Sequence, residues 1–290
     1  MTVCIATIYG KPGYNGENAD LETGIVISAD RMVSYQDGAF TYESKTRKIQ
    51  YFRPHNDISF ALMGTGAVNY IEDFFREFEK TDLNQLKNIE DVAKVGSETF
   101  GKMVRDSIEA IYLKPLSLDW KSIYDEKSSI PDHISSFITD GLKTVGGEMR
   151  DGLQILVAGI DKKGPHLFLI ESFDLTEVGT LGYHAIGMGE KAARVSLESN
   201  SYSPFMTKNE SLLLSLIAKF YSEKAFGVGR GTDCGLLTNN GTGIKWLTEE
   251  EINKIRKIYE SQVVPSFENL IRAKSNKLDK IMEWGDKSDI

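Results

Sequence analysis

Cysteine is scarce in this chain of 290 residues: Cys4 and Cys234 are the two it has, and both fall inside strand-like apolar runs. Two thiols so placed give no disulfide framework and read as small buried hydrophobes kept reduced. Histidine is equally thin. His55, His133, His166 and His184 stand far apart without HxxxH or CxxC spacing, so neither a metal centre nor a metal-dependent cofactor is expected. Long apolar runs are missing too, since Leu212 to Ala218 and Ile155 to Ile160 fall well short of the ~20 residues that cross a bilayer. The N-terminus lacks the basic segment, apolar core and cleavage site of a secretory signal, so the expectation is a cytoplasmic protein with no membrane partner. Positive charge is in deficit, with 34 Lys and Arg against 42 Asp and Glu. That balance disfavours a nucleic-acid partner, because phosphate binding needs clustered cations. The lysines of the C-terminal third alternate with Glu and Asp at helical spacing, as on a solvated face. Neither a Pro/Gly/Ser linker nor an internal repeat divides the chain.

What is present is an ordinary globular composition, 41% hydrophobic and 26% charged, with signals for strands and helices in a particular order. Thr2 to Tyr9 and Gly24 to Ala29 read as strands joined by a long glycine-containing loop. If they pair antiparallel in simple register, Asp30 at the end of the second lies beside Thr2. Strand-like segments follow at Ala39 to Glu43 and Thr46 to Phe52, with a polar turn at 35–38 before them. In the latter segment Lys48 alternates with Ile49 and so faces away from it. Ile58 to Met63 is a continuous apolar run of the kind that fills a central strand, and it stops at Gly64. From Ala67, the residues Ile71, Phe74, Phe75 and Phe78 recur at helical spacing and form one apolar stripe.

Asp91 to Tyr112 is a second helical pattern. Leu113 to Arg150 reads as an irregular insertion, broken by Pro115, Pro131, Gly146 and Gly147. Leu153 to Ile160 and Pro165 to Glu171 form a hairpin around a tight connection. A short strand at Tyr183 to Ile186 leads to Gly187-Met188-Gly189, helices at Glu190 to Glu198 and Glu210 to Glu223, a strand at Thr232 to Thr238, a turn at Asn240-Gly241 and an edge strand at Gly243 to Trp246. Thr248 and Glu251 make a capping box for a helix to about Gln262, and a charged helix is expected to continue to about Trp284. Strands first, then helices, hairpin, helices and hairpin do not fit alternating βαβ units. They suggest an α+β fold, two antiparallel sheets covered by helices on both outer faces.

The N-terminus, Met1-Thr2, carries the candidate chemistry. Removal of the methionine would leave Thr2 with a free α-amino group beside its own hydroxyl, a nucleophile and a base on one residue. The α-amine has a reference pKa near ~7.7 to 8, so much of it can accept a proton at cellular pH. On residue type alone Thr2 is one of many small residues found behind an initiator Met, Asp30 is a strand cap or salt-bridge partner, and Lys48 is a solvated strand lysine.

The segments TVCIATIYG, GIVISADR, TRKIQYF, ISFALMGTGA, LVAGIDKKGPHLFLIES, YHAIGMGEKA and IKWLTEEEINKIRKI resemble, in order, proteasome β subunits and the bacterial relative that docks an unfolding ATPase. The resemblance covers most of residues 2 to about 260. It implies the four-layer αββα sandwich of the N-terminal-nucleophile hydrolases as a single domain over 1–290, with an insertion at about 114–150 and a helical extension at about 263–290. It further implies an amide hydrolase, a threonine-type peptidase, acting through an acyl-enzyme at Thr2. The alternative is a structural subunit of the same fold without turnover. Homo-oligomeric rings and a peptide or protein substrate come with the family, an ATPase partner is left unassigned, and no cofactor is implied.

Residue by residue, the resemblance gives Thr2, Asp30 and Lys48 the catalytic roles and Gly64 the N–H of an oxyanion hole. Ser34 would pair with an extended substrate, with Val33, Leu62 and Met63 near its side-chain pocket. Three departures stand out. Met188 replaces a family serine, Phe226 to Arg230 replace an expected Asp and Ser, and Met32 replaces an arginine. Glu223 and Asp233 are the acids nearest the missing one, at spacings that support neither.

Overall fold

In the computed structural model, described here for residues 2–11, 22–35, 40–43, 48–125, 131–171, 174–238 and 243–264, the chain divides into two units, Met1–Leu247 and Thr248–Ile290. The first holds two five-stranded antiparallel sheets. One is built from β1 (Cys4–Tyr9), β2 (Gly24–Asp30), β10 (Tyr183–Ile186), β11 (Thr232–Thr238) and β12 (Ile244–Trp246), in the order β10-β1-β2-β11-β12. The other runs β5-β6-β7-β8-β9, from β5 (Ile49–His55), β6 (Ile58–Gly66), β7 (Leu153–Asp161), β8 (Gly164–Glu171) and β9 (Asp174–Glu177). A separate ribbon pairs β3 (Met32–Tyr35) with β4 (Phe40–Glu43).

Alternation along the strands explains the layering. Cys4, Ala6 and Ile8 of β1 meet Ile25, Ile27 and Ala29 of β2 in a core shared with Ala61, Met63, Leu156 and Ala158 of the opposite sheet. The odd residues Val3 and Ile5 face outward onto α5 (Glu190–Ser199) and α6 (Lys208–Ser222) through Ala193, Leu197 and Ala218. On the far side, Phe60, Leu62, Ile155 and Val157 lie under α1 (Val68–Phe78) and α2 (Ile89–Ile108), against Ile71, Phe74, Phe78, Val92 and Phe100. The result is the expected αββα order. Each buried Leu, Ile or Phe side chain contributes about 1.5 to 3 kcal/mol, so all three interfaces are needed to hold the strands that carry the site.

The expectation of an irregular stretch up to Arg150 is corrected. After a short α3 (Trp120–Asp125), α4 runs unbroken from Asp132 to Gly152, with Pro131 at its N-cap. Glycine in a helix interior costs about 1 kcal/mol, but the stripe that buries Ile138 and Val145 offsets Gly141, Gly146 and Gly147. Pro131 starts the helix instead of breaking it, which suits a ring with fixed φ. β5 begins at Ile49 rather than Thr46, leaving Lys48 just ahead of the strand, and Pro54 is tolerated because β5 is an edge strand with an irregular register between Phe52 and His55. Of the polar turn expected at 35–38, Tyr35 instead ends β3, and the rest of it, the Asn240-Gly241 turn and the charged helix expected beyond residue 264 lie outside the described residues.

In the second unit, α7 (Glu249–Ile258) starts at a full capping box between Thr248 and Glu251 and continues as one π turn over Tyr259–Val263. Among the described residues no helix is long and apolar enough to cross a membrane.

Candidate active site

The β1/β2 hairpin sets the site. Pairing of Cys4 with Ala29 puts Val3 opposite Asp30, and the Asp30 N–H donates to the Val3 carbonyl at 3.2 Å. Thr2, one residue further, is thereby delivered to the Asp30 side chain, which has no exposed surface. Five donors converge on that carboxylate. The Thr2 hydroxyl, the Val3 N–H at 2.9 Å and Lys48 Nζ at 3.1 Å serve Oδ1. The Met32 N–H at 3.0 Å and the Gly229 N–H at 3.1 Å serve Oδ2. A buried charge is tolerated only when its lone pairs are satisfied in this way.

Lys48 completes the group. Its Nζ donates to Thr2 Oγ1 at 2.5 Å, to Asp30 Oδ1, and to the Met32 carbonyl. Three acceptors use all three N–H bonds of an ammonium. Thr2 Oγ1 thus accepts from Lys48 and gives its own proton to Asp30, in a position only 2% exposed. Such a hydroxyl sits beside a fixed positive charge that favours its alkoxide. Cys4, the nearest thiol, is no rival nucleophile, because burial pushes its thiol far up, and Asp30 adds to that while Lys48 opposes it. Its Sγ donates to the Gly64 carbonyl at 3.6 Å.

Gly187-Met188-Gly189 forms a second wall. The Gly189 N–H donates to the Thr2 carbonyl at 3.3 Å. Gly187 has φ of +90°, and a Cβ there would run into the Thr2 carbonyl oxygen and sit 3.1 Å from Thr65 Cγ2. Gln154 fixes this turn, its Oε1 accepting from the Gly187 N–H at 3.2 Å and from Thr65 Oγ1 at 3.3 Å.

No family model matches the chain. Proteasome subunit beta 1 of Korarchaeum cryptofilum is 31% identical over 103 residues, covering 35% of this chain and 48% of that protein. The chain matches between about half and three-fifths of the length of its curated proteasome-subunit relatives. Among solved structures, Anbu (ancestral beta-subunit) from Yersinia bercovieri superposes with a TM-score of 0.63 at 14% identity, over 92% of this chain and 97% of that one. The Anbu of a helical assembly from Pseudomonas aeruginosa gives 0.62 at 12% identity, over 92% and 96%. The chain has a proteasome-like fold, and part of its sequence is similar to proteasome subunits.

On this proteasome-like frame, Thr2, Asp30 and Lys48 are brought into mutual contact. Gly64 adjoins the site, its carbonyl accepting from Cys4 Sγ, but its N–H already donates to the Lys48 carbonyl at 3.1 Å, so an oxyanion would have to share that donor. Leu62 and Met63 are fully buried, Leu62 under α1 and α2 and Met63 between the sheets, so neither offers surface to a substrate. Val33 and Ser34 are placed by backbone alone, in β3 opposite Tyr42 and Thr41. Met188 is 57% exposed and has no hydroxyl to offer. Glu223 and Asp233 are both committed elsewhere. Glu223 accepts from Lys219 Nζ at 2.6 Å, and Asp233 takes Arg31 through Nε at 3.0 Å and Nη2 at 2.8 Å.

Sequence reasoning passed over the Met32 carbonyl, the Gly229 N–H, Gln154 and Lys219. One of them left a trace. Along α6, Ser211, Ser215, Ala218, Lys219 and Ser222 are buried at helical spacing, and a lysine on that stripe signals a buried cation with work to do.

Proposed function

We propose that this proteasome-like protein is an N-terminal threonine amide hydrolase, a peptidase, acting through an acyl-enzyme at Thr2 after Met1 is removed. The observation that carries the reading is the buried triangle of Thr2 Oγ1, Lys48 Nζ and Asp30 Oδ1. In the proposed reaction the freed α-amine takes the hydroxyl proton as Oγ1 attacks the substrate carbonyl carbon. The intermediate then collapses, the leaving amine departs with a proton, and water hydrolyses the ester on Thr2. Lys48 favours negative charge on Oγ1, and Asp30 holds Lys48, the Thr2 hydroxyl and the Val3 backbone in register. Gly64 serves the oxyanion as a shared donor, keeping part of its bond to Lys48. An oxyanion donor is worth about 3 to 4 kcal/mol when fully available, so a shared one implies slow turnover.

A second reading is favoured by one specific observation, the engagement of the Gly64 N–H in the backbone, together with Met188 standing where the family resemblance expects a serine. It is a structural proteasome-like subunit without turnover. A homo-oligomer belongs to both readings, supported by the helical assembly of the Pseudomonas aeruginosa Anbu. The intact mass of the purified full chain, together with hydrolysis of a peptide library, separates them. A chain starting at Thr2 that releases amines from peptides supports the hydrolase, and a chain that keeps Met1 contradicts it.

A further inference from the structure

Lys219 lies in the last turn of α6 with no exposed surface, and its ammonium is held by a carboxylate and two main-chain carbonyls. It donates to Glu223 Oε1 at 2.6 Å, to the Gly229 carbonyl at 2.6 Å and to the Arg230 carbonyl at 3.3 Å. A buried cation is costly unless so satisfied. Two of these partners are main-chain atoms of one loop, so the charge ties that loop to α6.

The loop's other face meets the site. The Gly229 N–H donates to Asp30 Oδ2 at 3.1 Å, and the Arg31 N–H donates to the Gly231 carbonyl at 3.1 Å. Gly229 approaches so closely that a Cβ would sit 2.6 Å from Met32 Cβ and 3.4 Å from Asp30 Oδ2. The peptide at 229 therefore touches Lys219 with its carbonyl and Asp30 with its N–H. Asp30 in turn holds Thr2 and Lys48.

Resting on the hydrolase reading, we propose that Lys219 is a positioning residue. Through the Gly229 peptide it fixes the Asp30 carboxylate from the segment 226–230, which contains neither Asp nor Ser. Glu223 acts as the counter-charge that lets Lys219 stay buried.

The test uses the full chain and Lys219→Met, with three readouts: amide hydrogen exchange at Gly229 and at Val157 in β7, labelling of Thr2 by an electrophile directed at a terminal amino-alcohol, and melting temperature. The expected result is faster exchange at Gly229 with Val157 unchanged, and a maximal labelling rate lowered by ~10- to 100-fold, as small misplacements of reacting groups produce. Affinity for the electrophile stays the same. Unchanged exchange at Gly229 overturns the proposal. Faster exchange with an unchanged maximal labelling rate also overturns it, because the loop would then be anchored without positioning anything. If the wild type is never labelled, the hydrolase reading fails by itself, and the exchange comparison still decides whether Lys219 holds the peptide that binds Asp30. Should Lys219→Met not fold, the pair Lys219→Met with Glu223→Gln buries no unpaired charge and carries the same readouts.

Discussion

Lys48 Nζ stands 2.5 Å from Thr2 Oγ1, although they lie 46 positions apart in sequence and Lys48 leads into the edge strand of the opposite sheet. The contact crosses the layer between the two sheets at one end of the sandwich. It exists because the β1/β2 register leaves Thr2 just ahead of β1, while β5 begins only after Lys48. Asp30 bridges them, so the three side chains form one unit whose members are not expected to act additively.

Replacing Lys48 by Met tests that unit. The methionine fills similar space but leaves the buried Asp30 without its cation. Removing one partner of such a buried pair costs about 3 to 5 kcal/mol, read as a lowered urea midpoint. In whatever fraction folds, Thr2 labelling slows by at least ~10²-fold, the scale of a proton-handling group. Labelling at the wild-type rate would remove Lys48 from the mechanism.

Gly187→Ala probes the second wall. The positive φ and the approach to the Thr2 carbonyl leave no room for a methyl group, so the turn must shift. Backbone strain of this kind costs about 1 to 3 kcal/mol. The expected outcome is a lower melting temperature together with loss of Thr2 labelling. A stable variant that labels normally would show that Gly187 does not hold Thr2.

His184 supplies a pH signature of folding. Burial lowers the pKa of its imidazole below the ordinary 6.5, Arg194 lowers it further, and Glu171 opposes. The folded state therefore binds a proton less readily than the unfolded one. Its contribution to stability is present above pH 6.5 and is lost as the pH falls below that value. Urea titrations at pH 7.5 and 5.5 should show a smaller acid loss for His184→Gln than for the wild type; equal losses would contradict the assignment.

Much of this architecture is legible in the sequence because it depends on local periodicity. The alternation of Cys4, Ala6 and Ile8 against Val3 and Ile5 fixes two faces, and a simple antiparallel register is enough to put Asp30 beside Thr2. The α4 helix was not legible: Gly146, Gly147 and Pro131 weigh against helix locally, and only burial of Ile138 and Val145 reverses that. The engagement of the Gly64 N–H by Lys48 follows from how β5 pairs with β6, with Ile49 opposite Met63, and no single segment encodes it. The Gly229 peptide was illegible for a related reason. Main-chain donors carry no side-chain signature, and the lysine that orients this one is 10 residues away.

The central claim is that Thr2 is the nucleophile. Incubation of the purified full chain with an electrophile directed at a terminal amino-alcohol, followed by peptide mapping, tests it most directly. The account predicts one adduct, on Thr2 of a chain that has lost Met1, absent from a folded Thr2→Ala variant. An adduct of equal yield on Thr2→Ala, or a wild-type chain that keeps Met1 and takes no label, would contradict it.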